Sequence, residues 1–315
     1  MADESGAPVS DPLPGGADPV AAMLRVLDLS SSEARTTEDI FTGASQVMPQ
    51  GRVFGGQVLA QATVAAIRTL PPERVPHSMH GYFLRPGDSS RNITFSVDRI
   101  HDGRSFSTRR TQAFQNGMPI FSMIASFEDE DPGIEHAEPM PVGIPQPEDL
   151  PGLEQQLSGL HPTSRRIFAA SPIELRHVTT PIYLEPSFPA TSRQAVWART
   201  RSRLPDDPTI HRAALAFLSD LTIQEPVLRA HGLAWATPGL KVASLDHAMW
   251  WHRYARVDEW LLYVQESPSA RGGRGLSTGR IYDRDGSLVA SVAQEIMVRV
   301  PADEDRPPVS AGGSS

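Results

Sequence analysis

The sequence predicts an α+β protein in which one unit, a helix followed by an antiparallel sheet, occurs twice. Three observations carry this. Two long stretches each open on an apolar helical face and continue as strand-like runs, the runs come in the same order, and two tight-turn pairs, Asn116-Gly117 and Asp285-Gly286, fall at matching places. The offset from Ser78 to Ser244 and from Asn116 to Asp285 is about 166 to 169 residues, so the halves register with few insertions. At 315 residues the chain has the length of about two units of ~150 and can bury a substantial core.

In the first stretch, GGQVLAQATVAAIRTL spaces Val58, Ala62, Ala65 and Ala66 along one helical face and stops before Pro71-Pro72. Four strands follow, SMHGYFL (78–84), NITFSVDRI (92–100), SFSTRRTQAF (105–114) and PIFSMIASFE (119–128), the last two joined at Asn116-Gly117. The second stretch repeats the order with a helix over HRAALAFLSDLTI (211–223). Its strands are KVASLDHAMWW (241–251), EWLLYVQES (259–267), GRGLSTGRIYD (273–283) and SLVASVAQEIMVRV (287–300), with Asp285-Gly286 repeating the hairpin. A helix wrapped by a curled antiparallel sheet is the hotdog arrangement, and two in tandem let the sheets join edge to edge and protect edge strands. A tandem repeat of another α+β unit gives the same string, and periodicity does not choose between them.

The expected organisation is a tail at 1–20, an N-terminal unit at 21–130, a connector at 131–190, a C-terminal unit at 191–301 and a tail at 302–315. The connector (DEDPGIEHAEPMPVGIPQPEDLPG at its start) is rich in proline, glycine and acid and reads as a surface crossing; the more apolar stretch from Arg165 to Tyr183 has the composition to pack against a unit. Both tails have compositions typical of disorder.

Composition excludes several classes of function. With 29 basic and 37 acidic residues the net charge is −8, which provides no basic surface for nucleic acid. The absence of cysteine removes disulfides, a thiol nucleophile and cysteine metal sites. No apolar run reaches the ~20 residues that span a bilayer, and the N-terminus is acidic and Pro/Gly-rich, so the chain reads as cytoplasmic. A homo-oligomer is compatible with the sequence.

Six blocks, FGGQVLAQA at Phe54, HSMHGYFLRPGD at His77, DGRSFSTRR at Asp102, NGMPIFSMIASF at Asn116, ASLDHAMWWHR at Ala243 and LVASVAQE at Leu288, resemble in order the acyl-CoA thioesterase II family. The resemblance covers roughly Phe54 to Arg299, interrupted by the connector. It implies a double-hotdog fold, acyl-CoA substrates, no metal or organic cofactor, and a catalytic trio that holds a water against the thioester carbonyl. Carried onto this chain, the trio is Asp220 in LSDLT, Ser244 in ASLDH and Gln294 in AQE. One departure is Ile296, where the family pattern has glycine after QE, and it is expected to alter local strand shape.

Read from the residues alone, Gln294 is the one polar side chain on a strand face with Leu288, Ala290, Val292, Ile296 and Val298. An unpartnered amide there costs roughly 1–3 kcal/mol, so it needs a partner: another side chain, a water or a ligand, a backbone-satisfied core amide being the plain alternative. Asp220 closes an apolar helical run beside Ala213, Ala214, Phe217, Leu218 and Leu221, a half-buried setting that raises a carboxyl pKa and makes a better base; a solvated acid or a cap is the alternative. Ser244 carries weight only with these two. Shifted back by the repeat offset, Asp220 falls on Phe54 and Gln294 on Ala125 or Ser126, so one hydrolytic site per chain is expected.

Other signals point elsewhere or nowhere. The one G-x-S-x-G string, GLSTG at 275–279, falls inside the strand run 273–283 and not at a strand-to-helix elbow, against a covalent acyl-serine mechanism. His77 and His80 are three apart on a strand and His247 and His252 five apart, poor spacings for joint metal ligands. His80 is an alternative base or a relic of a first-half site. Arg271 and Arg274 in ARGGRG read as solvated loop residues or contacts for CoA phosphates, and Trp250, Trp251 and Trp260 as core and sheet surface. The function expected is hydrolysis of medium to long acyl-CoA to free acid and CoA. A non-catalytic acyl-CoA-binding protein is the alternative; an enoyl-CoA hydratase is disfavoured because Glu225, not histidine, stands five residues after Asp220.

Overall fold

The structure is a computed structural model, and it describes residues 18–32, 37–48, 50–152, 155 and 171–300. Both expected tails fall almost wholly outside these residues. Thirteen strands form one antiparallel sheet. They are β1 (Ser30–Ser31), β2 (Asp39–Gly43), β3 (Arg74–Phe83), β4 (Ile93–Asp102), β5 (Phe106–Gln115), β6 (Met118–Asp129), β7 (Ile173–His177), β8 (Arg193–Thr200), β9 (Lys241–Ser244), β10 (Asp246–Trp251), β11 (Leu261–Arg271), β12 (Arg274–Tyr282) and β13 (Leu288–Arg299). The α-helices that lie wholly within the described residues are α1 (Pro19–Leu27), α2 (Gly55–Ile67), α3 (Pro208–Ser219) and α4 (Glu225–Ala230), with a 3-10 turn at Pro147–Asp149.

The strand order is β1-β2-β4-β5-β6-β3-β10-β13-β12-β11-β8-β7, with β9 added to β13. The run β2-β4-β5-β6-β3 is matched by β8-β11-β12-β13-β10, so the duplication inferred from the sequence is a duplication of topology. The halves join where β3 pairs with β10, Met79 opposite Met249. Both inner strand edges are thereby paired, the tandem hotdog expected, and one buried cluster runs from Met23 and Leu59 through Phe121 to Leu218, Ile281 and Val292.

The helices depart from the sequence expectation in an informative way. In α2 every residue from Gly56 to Ala66 is buried, so it is the central helix of the first half rather than an amphipathic surface helix. The helix expected over 211–223 is α3, which starts at Pro208 under an Asp207 cap and packs against α2. The helix that the second half-sheet wraps is instead the short α4. Its apolar pattern is broken by two buried charged residues, Glu225 and Arg229, which hides it in the sequence. Helix α1 begins at Pro19, inside the expected tail, where Asp18 caps it through Val20 N–H at 3.0 Å.

Within the expected connector, β7 extends the sheet beyond β8, and Met140, Ile144 and Leu150 cover Trp197 and Trp260 on the outer sheet face. Trp197 Nε1 donates to Pro145 O at 2.9 Å. Asn116-Gly117 has both residues left-handed, as a two-residue hairpin requires, whereas at Asp285-Gly286 only Gly286 is left-handed and the turn spans Asp283 to Ser287. No described helix is long and apolar enough to cross a membrane.

Candidate active site

Three elements converge on Asp220. It is the residue after α3, at the C-cap with φ −88° and ψ −9°, and it is only 4 % exposed rather than half-buried. The N-terminus of α2, from the other half, meets it head on. A Cβ at Gly55 would stand 2.7 Å from Asp220 Oδ2, and one at Gly56 would stand 2.5 Å from Phe217 O, so the Gly55-Gly56 pair is what lets α2 approach. The Gly56 N–H donates to the carboxylate, and Phe54 leaves the helix start without a side-chain cap, so the positive end of α2 faces the acid.

The third element is the strand pair β10–β13 with β9. Strand alternation would put Ser244 and His247, three residues apart, on opposite faces. The structure breaks the strand at Leu245, whose N–H goes to Glu295 O at 2.9 Å and whose carbonyl accepts from Phe83 N–H at 3.0 Å. Both side chains therefore reach Gln294: its Nε2 donates to Ser244 Oγ at 2.9 Å, and its Oε1 lies 2.5 Å from His247 Nδ1. The neighbouring Asp246 holds this break, its Oδ1 accepting from Glu295 N–H at 2.7 Å.

The structure thus brings Asp220, Ser244 and Gln294 together and buries Gln294 completely, with side-chain partners rather than backbone ones. Burial pushes the Asp220 carboxyl up to about 7, against hydrogen bonds from Gln294, Gly56 N–H and Ser244 that favour the ionised form. Asp220 Oδ1 is buried without a hydrogen-bond partner, and so is Ser277 Oγ, directly across the ladder from Gln294. An acceptor and a hydroxyl with unspent capacity are therefore held side by side with the amide.

Ser244 has a further partner that the sequence does not announce. Gln224 Nε2 donates to its Oγ at 2.7 Å, so with Gln294 both lone pairs are taken and the hydroxyl hydrogen is left to donate toward Asp220 or a bound oxygen. Phe54, Phe83, Phe121 and Phe217 flank this end of α2, in two ring pairs with centroids 5.0 Å apart. Ile296 is fully buried opposite Gly275, and the β12–β13 ladder runs through it without a shift, so the expected distortion is absent. His80 is exposed and stacks edge-on against Trp250 at 5.1 Å, away from the trio. Trp260 lies under Arg199 at 4.3 Å and Trp251 is core. Arg274 pairs with Glu295 at 2.9 Å.

Comparison with known proteins shows the family and the fold. Residues 172–297 match the family profile described as acyl-CoA thioesterase, and residues 44–128 match that described as the acyl-CoA thioesterase N-terminal domain. The chain is 37% identical to acyl-CoA thioesterase 2 of Haemophilus influenzae over 268 residues, 82% of this chain and 92% of the relative. It is 36% identical to acyl-coenzyme A thioesterase 8 of Homo sapiens over 276 residues, 84% of this chain and 85% of the relative. Among solved structures it is similar to an acyl-CoA thioesterase II of Mycobacterium marinum, with a TM-score of 0.73, 43% identity, and coverage of 89% of this chain and 99% of that one. A hot dog protein from Alicyclobacillus acidocaldarius shares the fold with a TM-score of 0.70 at 18% identity, covering 89% of this chain and 99% of that one.

Proposed function

The chain belongs to the acyl-CoA thioesterase II family and hydrolyses acyl-CoA thioesters, and from that premise we propose that Asp220, Ser244 and Gln294 carry the hydrolysis through a positioned water. The observation that carries this reading is the burial of Asp220 beside the Gln294 amide and the Ser244 hydroxyl. Ionised Asp220 accepts a proton from water, and the resulting hydroxide equivalent attacks the thioester carbon. The tetrahedral intermediate collapses with loss of the C–S bond, and the proton held by Asp220 passes to the departing CoA sulfur. A base with a pKa near the working pH suits both transfers. The thioester carbonyl is electrophilic enough for a base and positioning to supply the rate.

Gln294 and the Ser244 hydroxyl orient the water, and the N-terminus of α2 at Gly55 supplies positive potential for the oxyanion, the Gly56 N–H being held by Asp220. Medium to long acyl chains are the substrates of this reading, supported by the phenylalanine rings beside the carboxylate. The experiment is thiol release from acyl-CoA followed with a chromogenic thiol reagent across chain lengths. The expected result is turnover that rises from short to medium and long chains; turnover confined to the shortest chains would remove the apolar-chain part, and none at any length would leave a binding protein.

A further inference from the structure

Gln294 has two ends, and only one orientation of its amide serves the base. Its Nε2 faces Ser244 Oγ and the Asp220 carboxylate, while Oε1 faces His247 Nδ1. An amide oxygen turned toward an ionised carboxylate is repelled where an amide N–H is attracted, so electrostatics favour the amide with N–H toward Asp220. Oε1 then needs a donor at its other side, and Nδ1 of His247 must carry the hydrogen. The ring is fully buried and held neutral, its pKa down to about 4 by loss of solvent, so Nε2 is bare. Ser219 Oγ lies 2.9 Å from Nε2 and is the donor to it in this tautomer.

A second self-consistent pattern exists. Ser219 Oγ is also 2.9 Å from Ala216 O. If the hydroxyl donates there, Nε2 carries the ring hydrogen, Nδ1 is bare, and the Gln294 amide turns its N–H to Nδ1 and its oxygen to Ser244 and Asp220. The orienting donor for base and water is then lost. Ser219 itself is anchored, since it directly precedes Asp220 and its carbonyl accepts from Tyr263 Oη at 3.0 Å. The imidazole thus ties the amide to the backbone that carries the base.

We propose that His247 is a positioning residue for the hydrolysis: in its Nδ1–H tautomer, held from Ser219, it keeps the Gln294 amide turned with its N–H groups toward Asp220 and Ser244. It rests on the assignment of Asp220, Ser244 and Gln294 made above. His247 is not itself the base, because both ring nitrogens are engaged within the core and neither reaches Asp220.

The test is a double-mutant cycle on the full chain, with kcat, KM and melting temperature read on each preparation. His247→Phe is expected to lower kcat about tenfold or more with KM within about twofold. The same change made in Gln294→Ala is expected to cost nothing further. His247→Asn, whose amide nitrogen falls near the place of Nδ1, is expected to recover much of the loss. Long-range proton–nitrogen correlation spectra of the wild-type histidines are expected to show His247 protonated at Nδ1 and bare at Nε2, which holds even if His247→Phe does not fold. Additive losses in the double variant, wild-type kcat in folded His247→Phe, or a proton on Nε2 would overturn the proposal. If Gln294→Ala alone keeps wild-type kcat, it is the trio that fails, whatever His247 does.

Discussion

At the scale of the residue, Asp220 is governed first by desolvation, which lifts its carboxyl from 3.8 to about 7, and only then by the Gln294, Gly56 and Ser244 hydrogen bonds that oppose the lift. A base must be ionised to act, so kcat/KM is expected to fall about tenfold per pH unit below about 7 and to level off above it. A profile flat from pH 5 to 8 would remove Asp220 from the rate equation. The stability consequence has the opposite sign. The folded-state pKa lies above the unfolded one, so the stabilising protonated form is fully present below about 4 and is lost as pH rises through about 7; Glu225, raised by burial from 4.5 to about 7, acts in the same direction. The melting temperature is expected to decline across that window. The proposed trio was reached through the family resemblance, and only Gln294 and Asp220 also stood out as odd polar residues in an apolar context, Ser244 being a commonplace strand serine. Its supports were not legible in the sequence: Gln224, Ser219, Ser277 and His247 look like ordinary polar residues until the break at Leu245 turns Ser244 and His247 to one side.

At the scale of the element, the N-terminus of α2 is the part of the site that the first half contributes. Gly55 is required by contact rather than by an unusual dihedral angle: a methyl there meets Asp220 Oδ2 at 2.7 Å and the Phe83 ring at 3.1 Å. Gly55→Ala is expected to push the carboxylate off the helix and lower kcat/KM about tenfold or more while the far-ultraviolet circular dichroism stays native; unchanged kinetics would detach α2 from the mechanism. The strands that follow the helix in each unit, and α2, could be read from periodicity and turns, whereas β2 and β8, which precede the helices, were not read. Helix α4 could not, because its buried Glu225 and Arg229 break the apolar pattern, and β7 was lost in a proline-rich composition whose few apolar residues pair at the sheet edge. The pairing of α3 with α2 is a tertiary fact that no local pattern encodes.

At the scale of the whole molecule, duplication supplies two halves of one sheet but, among the described residues, one such acid–amide pair, set where the second half's Asp220 meets the first half's α2. One productively bound acyl-CoA analogue per chain is therefore expected by active-site titration, and two equivalent sites would contradict the asymmetry. The most direct test of the central claim is single-turnover thiol release by Asp220→Asn at pH 8, with the melting temperature taken on the same sample. The account predicts a loss of at least ~100-fold together with a melting temperature equal to or above that of the wild type, because the amide cannot accept the water's proton and no longer buries a charge. Wild-type turnover by the folded variant would contradict it.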